Sequence, residues 1–225
     1  MRVYSVDITS FTASFRHPML ISGPQPTLDV PPISTILGLI NAACGKYIQH
    51  SNAVIGYYFE YQGKGWDVET IYMAEVNKKG NLLATTRSNA IKREFLFEPF
   101  LRLYSTDADL IHSFREPVYD LLLGRSSDLA TTHPLSIQDL DLEVLPKAEY
   151  ISGQIIPYAK APVAGKVQAL AKYFTDTIPR QMLGKEPYVV IDCHRYVGCP
   201  LAVCRDNVHG KVIDIYMHQI DSSTL

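Results

Sequence analysis

Pro31-Pro32-Ile33-Ser34-Thr35-Ile36-Leu37-Gly38-Leu39-Ile40-Asn41-Ala42-Ala43-Cys44-Gly45 is the stretch on which the fold turns. Proline is well tolerated at a helix start, where the first N–H groups have no intrahelical acceptor. Ile33, Leu37, Ile40 and Cys44 then recur at helical spacing, and Gly45 supplies the stop. The stretch predicts one helix with an apolar face, which has to be covered by a sheet or by other helices. Ser34 and Thr35 add hydroxyls to the free backbone N–H groups of the helix start, a combination that suits a phosphate. An ordinary capped helix is the commoner use of the same residues. Arg16 and His17, in the Pro- and Gly-rich loop 17–32 and just before it, stand close enough in sequence to favour the anion.

Working outward, residues 2–12 alternate as a half-buried strand, with Tyr4, Val6 and Ile8 on one face. Residues 54–61 and 70–76 read as two further strands joined by a loop through Gly63, Gly65 and Trp66. Asn77-Lys78-Lys79-Gly80-Asn81 is a turn signal and marks the tip of a projecting hairpin. Residues 93–104 alternate again, with Pro99 marking an edge or a bulge. Residues 107–123 read as a helix interrupted at Pro117, and 136–144 as a strand. The order is strand, helix, strand, strand, hairpin arm, helix, strand. It predicts an α+β fold, a ferredoxin-like or RRM-like split βαβ domain over 1–144 with its arm at about 77–93. Residues 145–225 form a small β-rich C-terminal annex with strands at 188–196, 200–205 and 212–218, and a helix at 166–174.

The chain has 225 residues, 47% hydrophobic and 20% charged, which excludes a disordered segment. A net charge of −2 excludes a uniformly basic nucleic-acid binder but leaves room for a local patch. Residues 77–102 carry 6 basic and 2 acidic side chains, whereas 103–149 carry 3 basic and 9 acidic. Lys78, Lys79, Arg87, Lys92 and Arg93 on the arm suit a nucleic-acid backbone, although a charged hairpin also discourages edge-to-edge aggregation. Leu123-Gly124-Arg125-Ser126-Ser127-Asp128-Leu129 reads as a turn at a helix end that also suits a phosphate or an RNA base.

Other chemistries find less support. Cys193, His194, Cys199 and Cys204 lie close together, but the cysteine spacings fall inside strand-like segments, where buried cysteine is common, so no metal is expected. There is no Gly-x-Ser-x-Gly, Walker or dinucleotide glycine loop, and the seven histidines are scattered. No apolar run approaches a membrane span and no export signal opens the chain, so the expected location is cytoplasmic with no membrane partner.

The helix 31–45 resembles the Pro-x-x-Ser-x-Leu-Gly-Leu-Leu-x-Ala helix of the fifth CRISPR-associated protein family. Residues 123–129 resemble that family's Leu-Gly-Arg-Ser-x-Asp loop, about ninety residues later and beyond a basic hairpin. The length and annex look most like the type I-B branch. This resemblance implies a member of the repeat-associated mysterious protein (RAMP) superfamily that serves antiviral defence. Such a subunit binds the 5′ handle of the CRISPR RNA within a Cascade ribonucleoprotein, with a thumb inserted at a kink in the guide. It further implies the backbone subunit and the large subunit as partners, with target DNA near only indirectly, at the flanking motif. Carried onto this chain, it makes Ser34, Thr35, the arm residues, Gly124, Arg125 and Ser126 handle contacts. Arg16, His17 and Lys46 are added as neighbours.

One branch of that family cuts precursor RNA with a Tyr, Lys and His site in which Lys and His are adjacent. Lys46-Tyr47 follows the first helix here, but no Lys-His dipeptide occurs anywhere. The expectation is therefore a non-catalytic subunit without a cofactor. The alternative is a metal-independent endoribonuclease, with Tyr47 as the residue to test.

Overall fold

The computed structural model describes residues 1–18, 20, 23–48, 54–81, 87–160 and 163–220. The chain runs through β1 (Arg2–Ser10), α1 (Ile33–Cys44), β2 (Val54–Glu60), β3 (Gly63–Met73), β4 (Arg87–Phe97), β5 (Phe100–Ser105) and α2 (Ala108–His112). It continues through β6 (Leu129–Thr132), β7 (Gln138–Asp141), β8 (Lys166–Phe174), β9 (Met182–Ile191), β10 (Val203–Val208), β11 (Lys211–Ile215) and β12 (His218–Gln219), with shorter strands between them. The fold is mostly β-sheet.

The main sheet is antiparallel in the order β12, β2, β5, β1, β6, with Leu121–Leu122 beyond β6 and β7 also on β1. β1 gives Ile8–Ser10 to β6 and Arg2–Ser5 to β7, because the chain between those strands steps aside in a 3-10 turn. The Ser136 hydroxyl closes the gap, lying 3.3 Å from both the N–H and the C=O of Asp7.

Helix α1 occupies its expected span. It stops at Gly45, whose φ of 67° is left-handed and where a Cβ would lie 2.7 Å from the Val118 side chain. Ile36, Leu37 and Ile40 pack with Val6, Ile8, Tyr57, Phe59 and Leu101 on one face of the sheet. The opposite face is covered too. Val3, Tyr58 and Tyr104 pack against Cys204, Val208, Ile213 and Ile215 from β10 and β11. β1 is thus buried on both faces rather than half-buried as the alternation suggested, and Ser5, expected outside, is 1% exposed.

The C-terminal segment is built into the same core: Ile155, Leu170, Tyr173, Tyr188 and Val190 share one apolar cluster with α1. At Gly153 a Cβ would lie 2.0 Å from the Phe59 carbonyl oxygen, so only glycine lets the two segments approach and form the Phe59 N–H to Gly153 C=O bond of 2.9 Å.

Several expected boundaries move. The expected loop through Gly63, Gly65 and Trp66 is strand, and Gly65 sits opposite Phe95, whose ring fills the space a Cβ would need. The arm therefore spans 63–97, not 77–93, with eleven cross-strand pairs from Gly63–Phe97 to Met73–Arg87. Its Asn77–Asn81 tip turn is as read, with Asn77 Oδ1 accepting the N–H groups of Lys79 and Asn81. The 93–104 strand divides at Glu98, φ 46°, into β4 and β5. The 107–123 helix shrinks to α2 and a single 3-10 turn, and Leu121–Leu122 is strand. The strand read at 136–144 resolves into β7 and a short strand at Glu143–Leu145, those at 200–205 and 212–218 into β10 and β11, and of 188–196 only 188–191 is strand, the end of β9. Residues 166–174 are strand β8, not helix, because β9 supplies a partner along their whole length, from Lys166–Val190 to Phe174–Met182. The spacing of Val167, Leu170 and Phe174 fits a helix, but the neighbouring strand overrides that local pattern.

Candidate nucleic-acid interface

An RNA-recognition sheet ordinarily displays aromatic rings on an open face for bases to stack upon. Here that face is closed: Tyr58 and Tyr104 are wholly buried beneath β10 and β11. Any nucleic acid would have to bind elsewhere.

The alternative is a cleft of about 610 Å³ between two hairpins. The start of α1 forms one end of it, with Pro32, Ser34 and Thr35. Gly124, Arg125 and Ser126 form another part, Arg16 and Arg93 stand at its edge, and Ala169, Ala171, Phe174 and Lys185 come from the β8–β9 hairpin. The two motifs that lie far apart in sequence thus close on one cavity. α1 begins with no side-chain cap and no acidic residue in its first turn; the Thr35 N–H donates to the Pro32 C=O at 2.9 Å, while the positive dipole end meets no acidic side chain of its own turn.

The Gly124 loop is held by contacts that begin in its own sequence. Gly124 has φ 120°, and a Cβ there would fall 2.0 Å from the Ser14 carbonyl oxygen. The close approach allows the Ser14 N–H to donate to Leu123 C=O at 3.0 Å. Asp128, with 0% of its surface exposed, accepts from the Arg125 N–H at 2.9 Å, from Arg125 Nε at 3.0 Å and Nη2 at 2.9 Å, and from the Thr12 hydroxyl at 2.6 Å. The hydrogen bond to Asp128 raises the Arg125 pKa above its already high ordinary value. Arg125 is therefore first a staple of its own loop, with Nη1 turned toward Asp67 at 3.9 Å.

The two hairpins are joined at their bases. Buried Asp29 pairs with Lys64 from β3 and, at 3.0 Å, with Lys166 from β8. Burial on its own would raise the Asp29 pKa, but the two ammonium groups outweigh it and the net shift is downward. The clamp is accordingly intact above the ordinary carboxylate pKa and is lost as pH falls through the lowered folded value. Lys166 is largely exposed and water screens it, so Asp29→Asn is expected to cost about 1–2 kcal/mol at pH 7. Urea denaturation reads this difference, and the two curves should converge once the pH has fallen below the lowered folded value.

Of the residues singled out in the sequence, Arg16, Ser34, Thr35, Arg93, Gly124, Arg125 and Ser126 line the cleft. Arg93 is engaged, its Nε lying 2.7 Å from Glu69 Oε2, although the two atoms are not aligned as a hydrogen bond. Lys92 points to the other face of the arm, 5.2 Å from the centre of the Trp66 ring. Lys78 and Lys79 stand exposed at the tip and Arg87 pairs with Glu75 at 3.6 Å, all outside the cleft lining. His17 lies beside Arg16 but is not part of the lining. Among the described residues, Arg16 and Lys185 are the lining cations with no ion pair. Phe174 is hidden in the sequence by the helix-like spacing of 166–174, and Met182 and Lys185 lie before residue 188, where the β-branched and aromatic run that signals β9 begins.

Lys46 and Tyr47 open onto a separate recess of about 360 Å³ with Arg180, Asp176 and Tyr173. The Tyr47 ring stacks on Tyr173 with centres 4.8 Å apart, and burial raises its pKa. Such a phenol is a poor proton acceptor at neutral pH, and the recess is lined by no histidine among the described residues.

The C-terminal cysteines fall into three different apolar clusters, Cys193 with α1, Cys199 with Ile151 and Val189, and Cys204 with Tyr58. Asp192, Cys193 and His194 bring ligand atoms within 4.8 Å of one another. Asp192 already accepts from the Tyr61 hydroxyl at 2.8 Å, and burial pushes the Cys193 thiol up to about 12, against the thiolate a metal requires. No helix among the described residues is long and apolar enough to cross a membrane.

No protein-family model matches the chain, and no curated protein matches it in sequence. Solved structures do match. A chain described as "CRISPR RNA-guided surveillance complex" superposes with a TM-score of 0.52 at 13% identity, over 89% of this chain and 91% of the other. A chain of "Type III-B Cmr-beta bound to cognate target RNA" gives 0.51 at 12%, over 88% and 86%. At these identities the likeness is one of fold.

Proposed function

We propose that this chain is an RNA-binding subunit of a CRISPR effector complex, one that caps the 5′ handle of the guide RNA and takes no part in its cleavage. The observation that carries the reading is the convergence of Ser34, Thr35 and Gly124–Ser126 on one cleft between two hairpins, with Arg16 and Lys185 left unpaired within it. The fold it shares with chains of RNA-guided complexes supports the same reading. So does the sheet order β2, β5, β1, β6, which we read as ferredoxin-like with its back face closed by the C-terminal hairpin. Hydroxyls, backbone N–H groups and free cations hold phosphates, while unpaired bases enter the largely apolar interior. Within such a complex the partners are the backbone and large subunits of a type I Cascade, with the acidic side chains of 103–149 that lie outside the Gly124–Ser126 loop turned toward protein rather than RNA.

The test is to mix the full chain with a labelled repeat-derived RNA in EDTA and follow both mobility and cleavage. A shift of intact RNA that is lost with a scrambled handle supports the cap. Cleavage at one site, abolished by Tyr47→Phe, would replace it with the endoribonuclease. Because binding to single strands loses roughly 0.7 in log–log salt slope per phosphate contact, Arg16→Ala with Lys185→Ala is expected to flatten the slope by about 1.4. A double variant with an unchanged slope would remove those two residues from the interface.

A further inference from the structure

Phe174 and Ser34 line both the cleft and the recess over Tyr47. The two cavities therefore adjoin at the Phe174 side chain, and taken together as one joined groove they run from Arg16 and Lys185 past Phe174 to Lys46 and Arg180. Phe174 is 39% exposed and pairs directly across the hairpin with Met182, 51% exposed, so the two form an apolar lip on the groove. Further along the hairpin, Ala171 faces Lys185, and beyond that Ala169 faces Pro187. The small side chains on β8 leave depth beside the lip, where a longer residue would fill it.

The occupant is set by charge and shape. Arg16, Arg93, Arg125 and Lys185 line the cleft against Glu69, and Lys46 and Arg180 line the recess against Asp176, so the groove as a whole is cationic. An aromatic face flanked by cations along a groove is how proteins hold single-stranded nucleic acid without reading its sequence, because every base has a face to stack and every phosphate a charge. A duplex presents no free base face to a lone ring on a lip.

We infer that the β8–β9 hairpin is a second RNA-binding arm. An unpaired RNA strand runs along the joined groove with one base stacked on Phe174 and the phosphates beside it held by Lys185 on one side and Arg180 on the other. This rests on the RNA-binding reading above and adds to it a stacking residue and a path for the strand.

The sequence contains a single tryptophan, Trp66, on the first arm. Trp66→Phe with Phe174→Trp therefore moves the fluorescent reporter to the proposed stacking position. On titration of the full chain with the repeat-derived RNA, that reporter is expected to be quenched saturably, and with a base-paired RNA of the same sequence it is not. Phe174→Ala is expected to weaken binding by about five- to a hundredfold with the salt slope unchanged. Lys185→Ala instead reduces the slope. Circular dichroism checks that both variants fold. If the parent binds RNA but Phe174→Ala binds as tightly and the relocated indole is not quenched, the second arm is overturned and the cap reading stands. If the parent binds no RNA, both fall.

Discussion

Asp128→Ala is expected to lower stability by about 3–5 kcal/mol, the cost of leaving a buried charge without its partner. Arg125 has only 11% of its side chain exposed, and Asp128 has none. Removing the carboxylate leaves the guanidinium beside Phe95, 6.0 Å from its ring centre, with Glu69 and, at 3.9 Å, the exposed Asp67 as its remaining charged neighbours. The same change takes away the acceptor of the Thr12 hydroxyl and of the Arg125 N–H. For a chain of this size the melting temperature falls by roughly 2–4 °C per kcal/mol, so a drop near 10 °C is expected. Asp128→Asn keeps the shape and some of the acceptor capacity and should fall between the two. A loss of under about 1 kcal/mol for Asp128→Ala would mean that Arg125 relaxes into water, and that the Gly124 loop owes its shape to Gly124, Ser14 and its own backbone hydrogen bonds. Because that loop forms part of the cleft, the alanine variant should also bind RNA more weakly at temperatures where it is folded.

What the sequence disclosed depended on whether the deciding contact was local. Helix α1 was legible to the residue because proline, apolar spacing and glycine act within fifteen positions. The Asn77–Asn81 turn was legible for the same reason, its bonds spanning four residues at most. The second arm was not, because KVQALAKYF has a helix-like spacing and becomes strand only through its pairing with β9. The arm lengths likewise depend on Gly65, which reads as a loop residue until Phe95 is placed across from it. At the candidate site, residue types were readable and their commitments were not. Nothing in the order of the chain says that Arg93 is engaged by Glu69, that Lys92 lies over Trp66, or that Asp29 draws Lys64 and Lys166 together from two hairpins. The arm that carried the sequence argument thus contributes few free cations to the cleft, and an arm that the sequence concealed contributes Lys185.

Stability should rise steeply with pH between about 4 and 6.5, and His218 should be the cause. β12 pairs with β2 through His218 and Gln219, which places the imidazole 5% exposed among Tyr57, Tyr188 and Tyr216. Burial depresses its pKa from 6.5 to about 4, with a hydrogen bond to the Ile155 backbone opposing the shift. Between those values the unfolded chain binds a proton that the folded chain refuses, so acid favours unfolding, and the contribution is complete only above the unfolded value. At about 1.36 kcal/mol per pH unit, the integrated effect is about 3 kcal/mol. The carboxylates held low by cations, Asp29 and Asp214, lose their contributions only further down, below their ordinary 3.8. The measurement is the difference between parent and His218→Phe in urea unfolding at pH 4.5, 5.5 and 7. The parent should lose more stability than the variant as pH falls, by about 2.4 kcal/mol between pH 7 and pH 4.5. Parallel curves would mean that the C-terminal strand opens and admits water before the ring protonates. Amide exchange at Ile55, the residue paired with His218, would then show early loss of protection in the parent, and β12 rather than its histidine would be the acid-labile part of the sheet.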